Sequence, residues 1–378
     1  MRIGIEISSA LNEGSGLRRY IELLLDALAR VDRENEYFLY AAFWTGCPDR
    51  IHQVRLPKER NFHLALRRFP QRILLPLERF LRLPIQESWL RPLHLDVFHG
   101  TGNVLPRLRS VPSVLTLHHV GGPWDTKTWW EPFYFKTQTA AFVRSADKII
   151  AISDFTRGEV TREWGVPPER VARVYYGGPA PLFRVTERVE DLSVLGVRRP
   201  FLLFVSEIKR RKNLDTLVRA FSMFKRSDEG RGFQLVLVGR KSPYFEELRQ
   251  TCRESGVDED VIFRYPVTQE QLRSLYQSAE ALVYPSKLEG FGLPPLEAMA
   301  CGTPVVAARA ASLPEVIGDA GILVDPDSPE GFHQAIRAVT TDRRLKESLV
   351  KKGFERIREF TWERAARETL EVYRSLAA

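Results

Sequence analysis

The chain has 378 residues, more than one hydrophobic core usually serves, so two domains are expected. Its three cysteines (Cys47, Cys252, Cys301) are far apart and form no Cys-x-x-Cys or Cys/His cluster. That argues against a disulfide framework and structural zinc, and for a reducing cytoplasm. A net charge of +8 would admit a nucleic-acid partner, but no recognised binding module is present, and no run of about 18 apolar residues could span a membrane.

The opening Met1-Arg-Ile-Gly-Ile-Glu-Ile7 reads as a strand and not a signal peptide, because Glu6 interrupts the apolar stretch. Gly14-Ser-Gly16 separates it from a helix near residues 17–30, small enough for backbone to approach a ligand closely. Further strands are predicted over 37–43, 96–99, 113–118, 148–153 and 171–175, with helices near 127–146 and 154–164. Between residues 50 and 109 stand 12 Lys/Arg against 4 Asp/Glu. Within that stretch, residues 69–83 mix arginines with bulky apolar side chains. Such a segment can lie on an anionic membrane surface, or pack as an amphipathic helix with its arginines in solvent. The turn-rich passage from Gly177 to about Arg199 reads as a linker. Strands resume over 201–205, 234–238, 261–264, 281–284, 304–307 and 322–324, and the chain closes on a helix over 362–376. This alternation is the signature of parallel α/β sheets, whose ligands bind beyond the C-terminal strand ends.

The segment Glu289-Gly-Phe-Gly-Leu-Pro-Pro-Leu-Glu297 says the most about chemistry. An apolar strand leads into a loop with Gly290 and Gly292, and a helix begins near Pro294, since proline suits a first helical position whose N–H is unpaired anyway. Gly302 and Pro304 end the same helix. Free backbone N–H groups and a helix N-terminus then converge as an anion site. Two acids beside an anion are placed to accept from flanking hydroxyls, so a nucleotide-sugar fits. A second element, Val205-Ser-Glu-Ile-Lys-Arg-Arg-Lys-Asn213, follows a strand with four consecutive cations and a candidate helix cap, Asn213. Preorganised cations there would stabilise charge growing on a leaving diphosphate. Asp258-Glu-Asp260 and Asp325-Pro-Asp327 satisfy Asp-x-Asp, yet read better as loop chemistry; the second precedes Ser328-Pro329, a turn into a helix. No catalytic metal is expected.

These motifs, with Ser312-Leu-Pro-Glu315 and its continuation to Gly321, resemble the E-x7-E signature and context of retaining glycosyltransferases of family 4. The resemblance covers nearly the whole chain, more strongly in its second half. It implies an α/β GT-B fold: two facing Rossmann-like domains with a cleft between them and a C-terminal helix crossing back to the first. The corresponding boundaries are 1–180 for the acceptor domain, 181–199 for the linker, 200–358 for the donor domain and 359–378 for the crossover.

By the same resemblance, Arg211 and Lys212 grip the donor pyrophosphate, Glu289 meets the sugar hydroxyls and Glu297, in the first helical turn, the ribose. Gly290, Phe291, Gly292 and Leu293 hold sugar and phosphate, Gly16 lies close to the donor, and His118 stands beside the reacting sugar. Four places depart from the family pattern: Arg18, His119, Tyr176 and Ser206-Glu207. The expected reaction moves a hexose, first from GDP-mannose and second from a UDP-sugar, to a glycan or lipid-linked acceptor in cell-surface polysaccharide synthesis. It needs no cofactor and takes place in the cytoplasm or on the inner face of the membrane, and Lys212→Ala should lower turnover with the fold intact. Two rivals are a nucleotide-sugar 2-epimerase and a non-catalytic nucleotide-sugar-binding subunit. A glycoside hydrolase is disfavoured, because a phosphate-gripping Lys/Arg pair has no work there.

Overall fold

In the computed structural model, residues 1–11, 16–43, 50–69, 73–74, 78, 83–118 and 131–377 are described. Gly14, Cys47, His119 and most of residues 70–82 lie outside them, so the structure says nothing of those expectations. The chain forms two compact units. One runs to Gly177 and takes in the C-terminal stretch from Phe360; the other comprises Gly178–Glu359.

The first unit is built on seven parallel strands: β1 (Arg2–Glu6), β2 (Glu36–Phe43), β3 (Phe62–Arg68), β4 (Val97–Gly100), β5 (Ser113–Leu117), β6 (Lys148–Ala151) and β7 (Val171–Arg173). They lie in the order β3-β2-β1-β4-β5-β6-β7. β1, β4, β5 and β6 are buried almost throughout, which is why they are rich in apolar residues; Glu6, His99 and Thr116 are buried with them. β6 stops at Ala151, short of the expected Ser153, because Ser153 turns to cap the helix Asp154–Trp164: its hydroxyl accepts from Thr156 N at 3.0 Å. β3 was not anticipated. It lies at the sheet edge with Leu64 and both terminal arginines exposed, so it lacks the apolar run that marks its neighbours.

The final helix, Trp362–Ala377, belongs to this first unit. Trp362, Ala365, Ala366, Thr369, Leu370 and Tyr373 recur at helical spacing and are all buried. That stripe packs against the helix Gly16–Val31 and strands β4, β5 and β6.

The second unit repeats the plan with β8 (Phe201–Val205), β9 (Gln234–Val238), β10 (Val261–Arg264), β11 (Ala281–Tyr284), β12 (Val305–Ala308) and β13 (Gly321–Val324), ordered β10-β9-β8-β11-β12-β13. β8, β9, β11 and β12 are entirely buried. Residues 181–199, expected as a linker, are fastened to this unit: Thr186 N donates to Gln277 Oε1 at 3.1 Å and Glu190 N to Ser274 Oγ at 2.9 Å. Among the described residues no helix is long and apolar enough to cross a membrane.

Candidate functional site

In the second unit β8 and β11 are neighbours from which the strand order departs in opposite directions, the place where open α/β sheets bind ligands. The loops leaving their C-terminal ends carry the two motifs. After β8 the chain makes a single turn at Arg210–Lys212 and passes through Asn213 with φ +58°. After β11 it runs through Pro285 to Gly292, whose φ of +105° only glycine adopts readily, and then enters the helix Leu293–Ala300. Backbone binds the loops together, Lys287 N donating to Arg211 O at 3.0 Å.

Across this seam Lys212 Nζ lies 2.5 Å from Glu289 Oε1 and 3.3 Å from the Tyr284 hydroxyl, with Lys212 only 3% exposed. Arg211 Nη1 reaches Leu288 O at 3.1 Å and stands 3.9 Å from Glu289 Oε2. Burial works to raise the Glu289 carboxyl. Lys212 and Arg211, with hydrogen bonds from Lys212 and Tyr284, more than offset it and hold that carboxyl below its ordinary range. Burial beside this carboxylate pushes the Tyr284 phenol well above its ordinary range, so Tyr284 stays a donor. Lys212, Arg211 and Glu289, predicted from two separate motifs, therefore converge.

Other predictions need adjusting. Asn213 precedes a helix as expected, but its side chain caps no backbone N–H. Its Nδ2 instead donates to Pro285 O (3.2 Å) and Pro326 O (2.6 Å), tying three loops together. Glu297 is the fifth residue of its helix and sits in the second turn rather than the first, beyond the strongest reach of the helix dipole. It is 2% exposed and accepts from the Tyr276 hydroxyl at 2.9 Å. Glu207, part of a departure from the family pattern, is paired with Lys209 and Arg240, each at 3.1 Å. Asp258 pairs with Arg249 (3.3 Å), Asp260 with Lys225 (3.0 Å) and Asp327 with Lys287.

Ser312, part of the motif after the helix Leu293–Ala300, braces the glycine loop. Ser312 is fully buried, and its hydroxyl lies 3.0 Å from Glu289 O and 2.8 Å from Phe291 O. It pins Glu289, Gly290 and Phe291 from below, while Leu313 Cδ2 would stand 2.9 Å from any Cβ added at Gly292. The Ser312-Leu-Pro-Glu315 motif is thus the back wall of the glycine loop.

The first unit holds the remaining candidates. Gly16 begins the helix Gly16–Val31, and a Cβ there would meet nothing within 4 Å. His118 follows β5 and is 6% exposed, with Nε2 2.6 Å from Thr101 O and Nδ1 bonded to the Tyr176 hydroxyl. Beneath it, His99 joins Tyr373 (2.6 Å) and Thr116 (2.6 Å), and burial with His118 nearby pushes its imidazole down to about 3.

The likeness to known proteins follows the same division of the chain. Residues 14–177 match the model described as Glycosyltransferase Family 4, and residues 190–356 that of Glycosyl transferases group 1. The O-antigen chain mannosyltransferase B of Escherichia coli is 29% identical, over 96% of each chain. The D-inositol 3-phosphate glycosyltransferase 1 of Catenulispora acidiphila is 30% identical over 75% of this chain and 73% of its own. Among solved structures, Anabaena HepE in complex with UDP-glucose superposes with a TM-score of 0.75 at 19% identity, covering 99% of this chain and all of its own. With both halves matched and a paired Rossmann-like architecture in common with such structures, the chain belongs to glycosyltransferase family 4 and has the GT-B fold.

Proposed function

We propose that the protein transfers a hexose, with retention of anomeric configuration, from a nucleotide-sugar to a glycan or lipid-linked acceptor in cell-surface polysaccharide synthesis. The contact between Lys212 and Glu289 is the observation that carries this reading. It sets a cation for the diphosphate against a carboxylate for the sugar hydroxyls at the switch point of one sheet. A donor whose β-phosphate enters beside Arg211 gives Lys212 a second anion, and Glu289 can then accept from the sugar. Gly290 and Phe291 supply backbone to the same ligand, Gly292 and Leu293 begin the helix aimed at it, and Glu297 is assigned to the ribose. Gly16 leaves room for the donor on the first unit, and His118 orients the sugar.

Charge on the leaving diphosphate is met by Arg211 and Lys212, the work a divalent ion would otherwise do, so the reaction is assigned as metal-independent. The favoured course is front-side transfer, in which the leaving phosphate accepts the acceptor's proton and the protein contributes position and charge stabilisation. GDP-mannose is the first donor choice, supported by the mannosyltransferase relative; a UDP-sugar is second, supported by the UDP-glucose complex of HepE. An anionic membrane surface is assigned to residues 50–110, where Leu64, Ile73 and Leu83 are half exposed among arginines, which would bring the protein to the inner face of the membrane. The test is nucleoside diphosphate release from GDP-mannose and UDP-sugars, with and without lipid-linked acceptor. Acceptor-dependent release supports transfer, and release without acceptor supports the epimerase. No release from any donor contradicts the reading.

A further inference from the structure

Tyr176, one of the four departures from the family pattern, has a defined task within the first unit. Its ring stacks on Tyr20 (4.9 Å between centroids) and on Trp362 (5.9 Å), and its hydroxyl meets His118 Nδ1. Tyr20 in turn presents an edge to the His118 ring at 4.8 Å. On the far side of the imidazole, Nε2 is 2.6 Å from the carbonyl oxygen of Thr101. A carbonyl only accepts, so the proton is on Nε2. In a neutral imidazole Nδ1 is then a lone pair, and the Tyr176 hydroxyl must donate to it. Burial pushes the Tyr176 phenol well above its ordinary range, which keeps that proton in place.

We infer that Tyr176 is a positioning residue that fixes His118 as its Nε2–H tautomer, so that the one proton the ring can share is on Nε2. Tyr20 and Trp362 are themselves 5.9 Å apart, so the three rings form one aromatic cluster that holds the Tyr176 hydroxyl against His118. A sugar oxygen that approaches His118 therefore meets a donor at Nε2 and must accept from it, in exchange with the Thr101 carbonyl. This catalytic consequence rests on the transferase reading above; the tautomer does not.

The experiment is imidazole nitrogen–proton correlation spectroscopy on the full chain, paired with donor kinetics, for wild type and Tyr176→Phe. That substitution removes one hydroxyl and keeps the stacked ring. Wild type should show His118 protonated on Nε2 and bare on Nδ1. The variant should show a second tautomer, with kcat lower by about fivefold to tenfold, the size of one neutral hydrogen bond, and donor KM within about twofold. Nδ1 protonated in wild type overturns the inference, whether or not the variant folds. So do unchanged nitrogen shifts in the variant, or a shifted tautomer with kcat unaltered. A wild-type enzyme silent toward every nucleotide-sugar counts against the transferase reading alone, because the tautomer is read without substrate.

Discussion

Lys212 and Glu289 neutralise each other: their charged atoms are 2.5 Å apart, with side chains 4% and 10% exposed. A buried pair in this geometry contributes little over an apolar replacement, but removing one partner strands the other, at a cost of about 3–5 kcal/mol. This changes the expectation that Lys212→Ala would leave the fold untouched, since that variant leaves the Glu289 carboxylate buried without its principal cation. Lys212→Met and Glu289→Gln should each lower the stability of the second unit by about that amount, and the double variant should recover most of the loss. Urea unfolding of the four proteins checks this; additive losses would show that the two side chains do not interact in solution.

Gly292 and Gly16, two of the three glycines predicted at the donor site, differ in what surrounds them. Gly292 is at φ +105° with Leu313 Cδ2 in the way, so Gly292→Ala should cost about 1–3 kcal/mol of stability before any effect on activity. Gly16 has open space around its missing Cβ and begins a helix, so Gly16→Ala should leave the unfolding midpoint within about 0.5 kcal/mol of wild type. On the proposed reading that this space receives the donor, turnover of Gly16→Ala should nonetheless fall. Thermal melts beside donor-release assays separate the two cases; full activity in Gly16→Ala removes Gly16 from the site.

His99 supplies a pH signature. Burial first, then the proximity of His118, lowers its imidazole from 6.5 to about 3, so the folded chain leaves it neutral where the unfolded chain protonates it. The unfolded state therefore binds the extra proton below pH 6.5, and stability falls as pH drops from 6.5 toward 3. The slope grows from half of about 1.4 kcal/mol per pH unit at pH 6.5 to nearly all of it at pH 5, so wild type should lose about 1.6 kcal/mol over that interval that His99→Gln does not lose. Denaturant midpoints at those two pH values give the comparison, and identical slopes would exclude His99 as the source.

What could be read in the sequence divides along physical lines. Buried parallel strands announce themselves as apolar runs, which is why β8, β9 and β11 fall at the expected residues. β3 hides because an edge strand needs only part of one face covered, and its Arg67 and Arg68 made the region read as charge, not sheet. Lys212 and Glu289 were legible because glycine, proline and consecutive cations mark their loops locally. The brace from Ser312 and the Tyr176–His118 bond were not legible, since each joins residues far apart in the chain and only the folded sheet order brings them together. Proline marks a helix start only to within a residue: the helix begins at Leu293, not Pro294, and this carries Glu297 into the second turn.

Arg211 and Lys212 are proposed to grip the diphosphate of a nucleotide-sugar. The most direct measurement is calorimetric binding of GDP and UDP, with guanosine and uridine as controls, to wild type and to the charge-balanced Lys212→Met/Glu289→Gln protein. At least one nucleoside diphosphate should bind wild type and lose affinity by about tenfold or more in the double variant, as expected when a phosphate loses a charge-assisted bond worth about 1.5–3 kcal/mol. Equal diphosphate affinity in the two proteins would contradict the account.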